Sequence, residues 1–317
     1  MIQPGVRAMQ KTIVAFFLAA ACIQAGAAGF GELAEGFRTA VAQGQRSHLV
    51  DIDNDSLLLN RDDGFYTSGL RYTQQYALRD ASRLTIYGWR IGQEQYTASD
   101  IKLPPASIPR LDHPYAGWLY GGVFKTTHLS DGSYRRFGLD IGCLGPCAGG
   151  EWTQKNLHRI LDQPIPQGWS TQVKNEPGLV LYGDLAPLRW NPHAAVDITP
   201  ALHGRFGNIF TDAGASLTVR AGQLNQLPGA STLHGFVRID GRAIGYNATL
   251  QGGYFSNDNP RTVSPKRLVG EAEAGIQWIR GPFGVLASVV RRSNEISGLS
   301  NAAGAQNFAR LQFTYTP

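Results

Sequence analysis

From residue 48 to the C-terminus the chain alternates apolar and polar side chains with a period of two. Leu70, Tyr72, Tyr76 and Leu78 fall on one side of such a segment, while Arg71, Thr73 and Gln75 fall on the other. Ala272, Ala274, Ile276 and Trp278 oppose Glu271, Glu273 and Gln277 in the same way. Near the end, Ala309, Leu311, Phe313 and Tyr315 oppose Gln306, Arg310, Gln312 and Thr314. Successive side chains of a β-strand point to opposite faces, so each segment reads as a strand with one apolar and one polar face. Strands are predicted near 48–57, 66–78, 82–97, 116–129, 134–145, 172–188, 194–206, 212–224, 234–247, 266–280, 283–296 and 306–316, twelve in all. Several exceed about 11 residues, which is long for a soluble strand and right for a tilted outer-membrane span. Tight turns at Asp131-Gly132 and Gly281-Pro282 alternate with longer loops over 98–113 and 250–264, and the short turns are assigned to the periplasmic side. The expected fold is all-β, a twelve-stranded antiparallel transmembrane β-barrel. A soluble β-sandwich is the competitor, but its strands are shorter and its domain is nearer about 100 residues.

One segment departs from this rhythm. Residues 149–161 hold helix formers without alternation, which predicts a short loop helix near 150–162. Glu151, Gln154 and His158 share one face of it at i, i+3 and i+7, and Leu157 and Leu161 stack on an adjacent one. At the other end of the chain, Arg7 and Lys11 precede an apolar run from Thr12 to Ala21, followed by Ala25-Gly26-Ala27. That order is a cleaved secretory signal peptide over 1–27, with Met9 as an alternative start. Cys22 offers a competing lipoprotein site, which the A-x-A site further on fits better than. The mature chain then divides into a lead-in over 28–47 and a barrel domain over 48–317. No later stretch approaches 18 uncharged apolar residues, so a helical membrane protein is excluded.

Composition refines this picture slightly. Thirty-eight glycines and twelve tyrosines suit a barrel with aromatic girdles. The formal charge of +5 falls to +3 when Arg7 and Lys11 leave with the leader. Such an excess does not point to nucleic acid, whose binders gather Lys and Arg in one patch, and leaves a modest attraction to outer-membrane lipid headgroups. Cys143 and Cys147 can close a small disulfide loop in an exported protein or remain two thiols, and zinc would need a second ligand pair that the chain lacks.

The candidate chemistry clusters in two places. Asp53, Asn54, Asp55, Asp62 and Asp63, with Thr67 nearby, form a run of hard oxygen donors of the kind that suits Ca²⁺. The plainer alternative is a set of solvated loop and lumen acids. His158 is the natural general base on the helix, against the plainer alternative of a surface histidine. No G-x-S-x-G elbow is present to supply a serine nucleophile, so water activated by histidine is the simpler hydrolytic scheme.

Five blocks in order carry a resemblance. They are Asp53-Asn54-Asp55, Tyr66-Thr67-Ser68-Gly69, His113-Pro114-Tyr115-Ala116-Gly117-Trp118, Gly145-Pro146-Cys147-Ala148-Gly149-Gly150 with Gln154 and His158, and Gly168-Trp169-Ser170-Thr171-Gln172 with Asn175-Glu176-Pro177-Gly178. Together they resemble the LpxR lipid A 3′-O-deacylase family. The resemblance implies a monomeric twelve-stranded barrel of the bacterial outer membrane. It would act on lipopolysaccharide, removing the 3′-linked acyloxyacyl chain from lipid A in a Ca²⁺-dependent hydrolysis. It implies His158 as the base that activates water, Asn54, Asp55 and Thr67 as the lining of the site, and Asp55 and then Asn54 as calcium ligands. Lys102 falls near the family's site lysine, where it would bind a lipid A phosphate or serve as a plain loop residue. Cys143 and Cys147 stand where the family pattern requires no cysteine, so a disulfide there would be a local staple. The competing functions are a passive porin-like or structural barrel, and an outer-membrane phospholipase with a serine beside its histidine. If the leader reading is right, N-terminal sequencing of the protein from outer membranes will read from Ala28.

Overall fold

Charged strand faces are tolerated in a membrane only if they turn toward one another, and the sheet closes so that they do. The computed structural model describes residues 30–58, 64–225 and 227–317. The leader over 1–27, and Asp62 and Asp63, lie outside the described residues. The strands are β1 (Gln45–Asn54), β2 (Phe65–Arg79), β3 (Arg83–Thr97), β4 (Ala116–Leu129), β5 (Tyr134–Leu144), β6 (Glu176–Ala186), β7 (Trp190–His193), β8 (Val196–Gly207), β9 (Phe210–Gln223), β10 (Thr232–Asn247), β11 (Leu268–Arg280), β12 (Phe283–Arg292) and β13 (Gln306–Tyr315). Every ladder is antiparallel. The ring closes where β1 pairs with β13, from His48↔Tyr315 to Asn54↔Ala309. It is continuous on the far side through β6 and β8, from Val180↔Gly207 to Leu185↔Leu202. The short β7 pairs with β8 alone and stands outside the ring. The predicted twelve-stranded barrel is thus present with one extra strand of four residues.

Two boundaries differ from the sequence expectation for local reasons. β1 spans 45–54 rather than 48–57, because Ser56–Leu58 coil into a turn of 3₁₀ helix and carry Asp55 out of the strand. The sixth strand begins at Glu176 rather than 172, since Gly168–Thr171 is another such turn. The lead-in holds a helix that was not expected, α1 (Phe30–Gln43). The predicted loop helix is α2 (Gly150–Ile160).

The barrel faces follow the alternation. Leu70, Ile91, Val123, Ile141, Val237, Ile276 and Phe313 point outward and are exposed, with Ile239 at 63%. Unpartnered outward aliphatics at this density form the apolar band of an outer-membrane barrel. The opposite positions fill the lumen with ion pairs between strands one or two apart in the ring. Arg71 meets Asp51 at 3.1 Å, Arg310 meets both Asp53 at 3.0 Å and Glu273 at 3.1 Å, and Arg292 meets Glu271 at 2.8 Å. Arg90 grips both carboxylate oxygens of Asp140, at 3.0 and 2.6 Å. A cavity of about 280 Å³ remains among these side chains.

Apolar residues cross the lumen near each end of this lattice. Toward the periplasm Leu84, Ile86, Phe124 and Tyr182 pack with Leu227 of the 224–231 loop, and the Arg79 guanidinium ties that loop down through the Pro228 carbonyl at 3.2 Å. Toward the outside Tyr66, Tyr96, Trp118, Phe210, Tyr246 and Phe308 form a second layer. A lumen filled in this way is a core rather than a porin-like passage, as the narrow girth of a twelve-stranded ring favours. Turns at 80–82, 130–133 and 281–282 mark the periplasmic end, and the loops over 98–115, 145–175, 248–267 and 293–305 crowd the other.

Removing one partner from a buried pair leaves a stranded charge, which costs about 3–5 kcal/mol. Asp140→Ala is therefore expected to lower the temperature at which the folded barrel shifts to its unfolded mobility on a gel. Asp80→Ala, whose partner Arg83 lies half exposed with it at a turn, is expected to change that temperature little, because solvent screens an exposed pair.

Candidate functional site

The outer wall breaks its own rule at one place. On β3 the lumen-facing residues include Arg90 and Glu94, so Gln93, Gln95 and Thr97 occupy positions that elsewhere carry lipid-facing aliphatics. Gln95 lies on a row that crosses four strands by register, Asn54↔Ser68, Ser68↔Gln95 and Gln95↔Gly117. A bulge between Tyr66 and Ser68 gives Thr67 its own direction. The Thr67 and Thr97 hydroxyls lie 2.7 Å apart in a buried hydrogen bond. The Gln95 amide donates to Gln93 Oε1 at 2.9 Å, and Gln93 Nε2 donates to the Ala148 carbonyl at 2.6 Å. That carbonyl lies at the approach to α2.

α2 lies against this polar row from outside. A Cβ on Gly117 would meet the Ala148 methyl at 3.1 Å and the Gly150 Cα at 3.5 Å, so β4 and the first turn of α2 touch backbone to backbone. The chain reaches this position through Gly145 and Gly149, both at positive φ (93° and 69°), where a side chain would be strained. Cys143 and Cys147 form a disulfide across that turn, with Cα atoms 6.0 Å apart. Asn175 Oδ1 receives the Cys147 N–H at 2.7 Å. Trp169, almost fully buried, donates its indole N–H to Gln154 Oε1 at 2.8 Å and stacks edge-on against Tyr115.

The predicted polar face of α2 is turned inward. Gln154 and His158 are buried, whereas Glu151 stays at the edge in a pair with Lys155 at 2.6 Å. The apolar side chains face out, with Trp152 at 73% and Ile160 at 80% exposure, and Leu157 and Leu161 beside them. His158 Nδ1 lies 2.7 Å from the Pro164 carbonyl, which can only accept, so Nδ1 carries the proton and a neutral ring places its lone pair on Nε2. Gln154 Nε2 is buried with no hydrogen-bond partner among the described residues. A buried amide donor left in that state is uncommon and costly.

The expected acidic cluster is divided by the barrel wall. Asp53 points into the lumen, held by Arg310 at 3.0 Å and the Tyr66 hydroxyl at 3.1 Å. Neighbouring strand residues face opposite sides, which separates Asp53 from Asn54, and Asp55 has left the strand at the 3₁₀ turn that follows. The Asp55 carboxylate is buried and accepts the backbone N–H groups of Ser56 at 2.8 Å and Gly64 at 3.1 Å. Asn54 Oδ1 takes both the N–H and the hydroxyl of Ser56, and its amide donates to the Thr67 carbonyl at 3.3 Å. Carboxylate, amide and hydroxyl oxygens are the donor chemistry of a hard cation. Among the described residues no three of His, Cys, Asp and Glu gather closely enough to hold a metal by themselves. Lys102 is exposed on the 98–115 loop, and its ammonium makes no ion pair among the described residues. That loop is joined to the segment after α2 by the Gln167 N–H donating to the Ile101 carbonyl at 2.9 Å.

A sequence profile described as outer membrane protein LpxR matches residues 13–316. The chain belongs to the LpxR family. It is an outer-membrane barrel, and the lipid A deacylases are its family. LpxR from Salmonella typhimurium shares its fold at a TM-score of 0.71 and 22% identity, over 86% of this chain and 100% of that one. The beta domain of the Bordetella autotransporter Brka is also similar, at 11% identity over 86% of this chain and 98% of that one, with a TM-score of 0.48. Among curated proteins none matches by sequence.

Within this LpxR-family barrel, the residues that the sequence analysis passed over are Gln93, Gln95 and Thr97. Their signal was present, since three polar residues in a row at lipid-facing positions contradict the pattern of every neighbouring strand. The His113-Pro114-Tyr115-Ala116-Gly117-Trp118 block is largely scaffold. His113 is buried against Tyr96 in a stacked pair at 5.3 Å, and burial pushes its imidazole below the ordinary histidine range. Gly117 admits α2, and Trp118 enters the outer lumen layer. Gly117→Val is expected to lift α2 from the wall and increase protease cleavage within 145–175, while the barrel keeps its folded gel mobility.

Proposed function

We propose that this protein hydrolyses the 3′-linked acyloxyacyl ester of lipid A in the outer leaflet, with His158 as the base. The observation that carries this reading is the inverted helix α2. Its polar residues Gln154 and His158 are buried against a polar strip of the outer wall, and its apolar residues are offered to the bilayer. A lipid entering sideways would meet its own environment on the outside of α2 and reactive groups on the inside.

In the reaction, His158 Nε2 accepts a proton from water as the water oxygen bonds to the ester carbonyl carbon. The Pro164 carbonyl holds the protonated Nδ1 and steadies the imidazolium that forms. The carbonyl oxygen becomes an oxyanion, and Gln154 Nε2 is a buried donor able to meet it. Collapse breaks the bond to the sugar 3′-oxygen, which leaves with the proton from His158, so the products are a free acyloxyacyl acid and a 3′-hydroxyl. Trp169 fixes the Gln154 amide by its Oε1. Asp55 and Asn54 are the proposed holders of Ca²⁺, with Thr67 beside them, and the bound cation would supply positive charge toward the ester oxygen and the lipid A phosphates. Lys102 is the proposed phosphate contact on the facing loop.

The test is mass spectrometry of lipid A from cells expressing the protein. Loss of the 3′ acyloxyacyl mass is expected with the native chain and calcium, and its retention is expected for His158→Ala, for Asp55→Ala and after chelation. Those variants should still insert and keep folded gel mobility. Unaltered lipid A from the native chain in calcium-replete membranes would sink the reading.

A further inference from the structure

α1 (Phe30–Gln43) lies against the outside of the barrel and not across its mouth. Phe37 packs edge-on against Tyr76 and Tyr87, with ring centroids 6.3 and 6.0 Å apart. Ala40 is fully buried between them, and Gly36 sits under the Tyr87 hydroxyl. Tyr76 and Tyr87 are in register across β2 and β3, on the face that carries Leu70 and Ile91 into lipid. They belong to a belt with Tyr72, Trp89 and Tyr315 at the periplasmic edge of the apolar band, the level where aromatic girdles meet headgroups.

The helix has more apolar surface than the barrel uses. At 100° per residue Leu33, Ala34, Phe37, Ala40 and Val41 form one stripe, and Glu32, Glu35, Arg38 and Gln43 form the other side. The barrel covers Phe37 and Ala40, while Leu33 and Val41 stay 41% and 42% exposed. Those two residues share the stripe of Phe37, which packs on the outward-facing Tyr76 and Tyr87. Arg46 and Lys125 lie over the Tyr76 and Tyr87 rings, at 5.8 and 5.2 Å, and bring two cations to the same level. An amphipathic helix whose free apolar flank joins a membrane belt, with cations beside it, fits one occupant best.

We propose that α1 is an interfacial anchor seated in the inner leaflet. Leu33 and Val41 enter the boundary between headgroups and acyl chains. Glu32, Glu35 and Arg38 face the periplasm, and Arg46 and Lys125 hold anionic phospholipid headgroups next to it.

Leu33→Cys, Val41→Cys and Glu35→Cys, each in a Cys22→Ser background, are labelled with an environment-sensitive fluorophore without reductant, so that Cys143 and Cys147 stay joined. Each is placed in vesicles of phosphatidylethanolamine and phosphatidylglycerol with or without brominated chains, after gel mobility has confirmed a folded barrel. Quenching by bromine is expected to be several-fold stronger at 33 and 41 than at 35. Equal quenching at all three positions overturns the proposal. So does a blue-shifted emission at 33 and 41 without bromine quenching, which would mean that a protein partner or second copy covers the stripe. In the unsubstituted protein, doxyl-labelled lipids should broaden the Leu33 and Val41 methyl resonances in nanodiscs, and unbroadened methyls would overturn it equally.

Discussion

The backbone pairing of β1 with β13 is the constraint on which the rest depends. Hydrocarbon cannot receive an unpaired N–H or C=O, so a sheet spans a membrane only when its two edges meet. Once His48–Asn54 lies along Ala309–Tyr315, an inside and an outside exist. The charged face of the alternation is then committed to the lumen, and arginines from one strand must find carboxylates one or two strands away. The paired lattice around Asp51, Asp53, Asp140 and Glu271 is the consequence. The same closure encloses a lumen that apolar layers cross near both ends.

What remains for function is the outside, and there the molecule departs from the barrel pattern in a limited area. Gln93, Gln95 and Thr97 would be intolerable against lipid by themselves. They are accommodated because Thr67, the Ala148 carbonyl and the buried face of α2 cover them. Glycines at 117 and 150 let the helix approach closely enough to make that cover, and Trp169 fills the space beside it. The arrangement exchanges a lipid contact for a protein contact over a few residues and leaves Gln154 Nε2 buried without a partner among the described residues.

The barrel was legible in the sequence because a closed membrane sheet enforces period two more strictly than a soluble one does. Strand count and the position of α2 followed directly. Boundaries failed where side-chain hydrogen bonds override periodicity, as at Asn54 and Asp55, whose bonds to Ser56 end β1 three residues early. The acidic cluster failed for a reason that the same alternation contained. Asp53 and Asn54 are adjacent in sequence and therefore on opposite sides of the wall, one bound to Arg310 and the other to the rim. The face shared by Gln154 and His158 was legible because helical spacing says which residues travel together, and the structure adds that this face is the buried one. α1 lay in a segment read only as a lead-in, although its stripe of Leu33, Phe37, Ala40 and Val41 has helical spacing.

The inversion of α2 also has a bearing on when the site exists. An 11-residue helix is marginal in water alone, and Trp152, Leu157, Ile160 and Leu161 would be turned to solvent if α2 docked on a barrel not yet in a bilayer. Its docked orientation is satisfied only when wall and lipid are present together. If the proposed function holds, a chain crossing the periplasm carries Gln154 and His158 unassembled, and the site matures on arrival at the membrane.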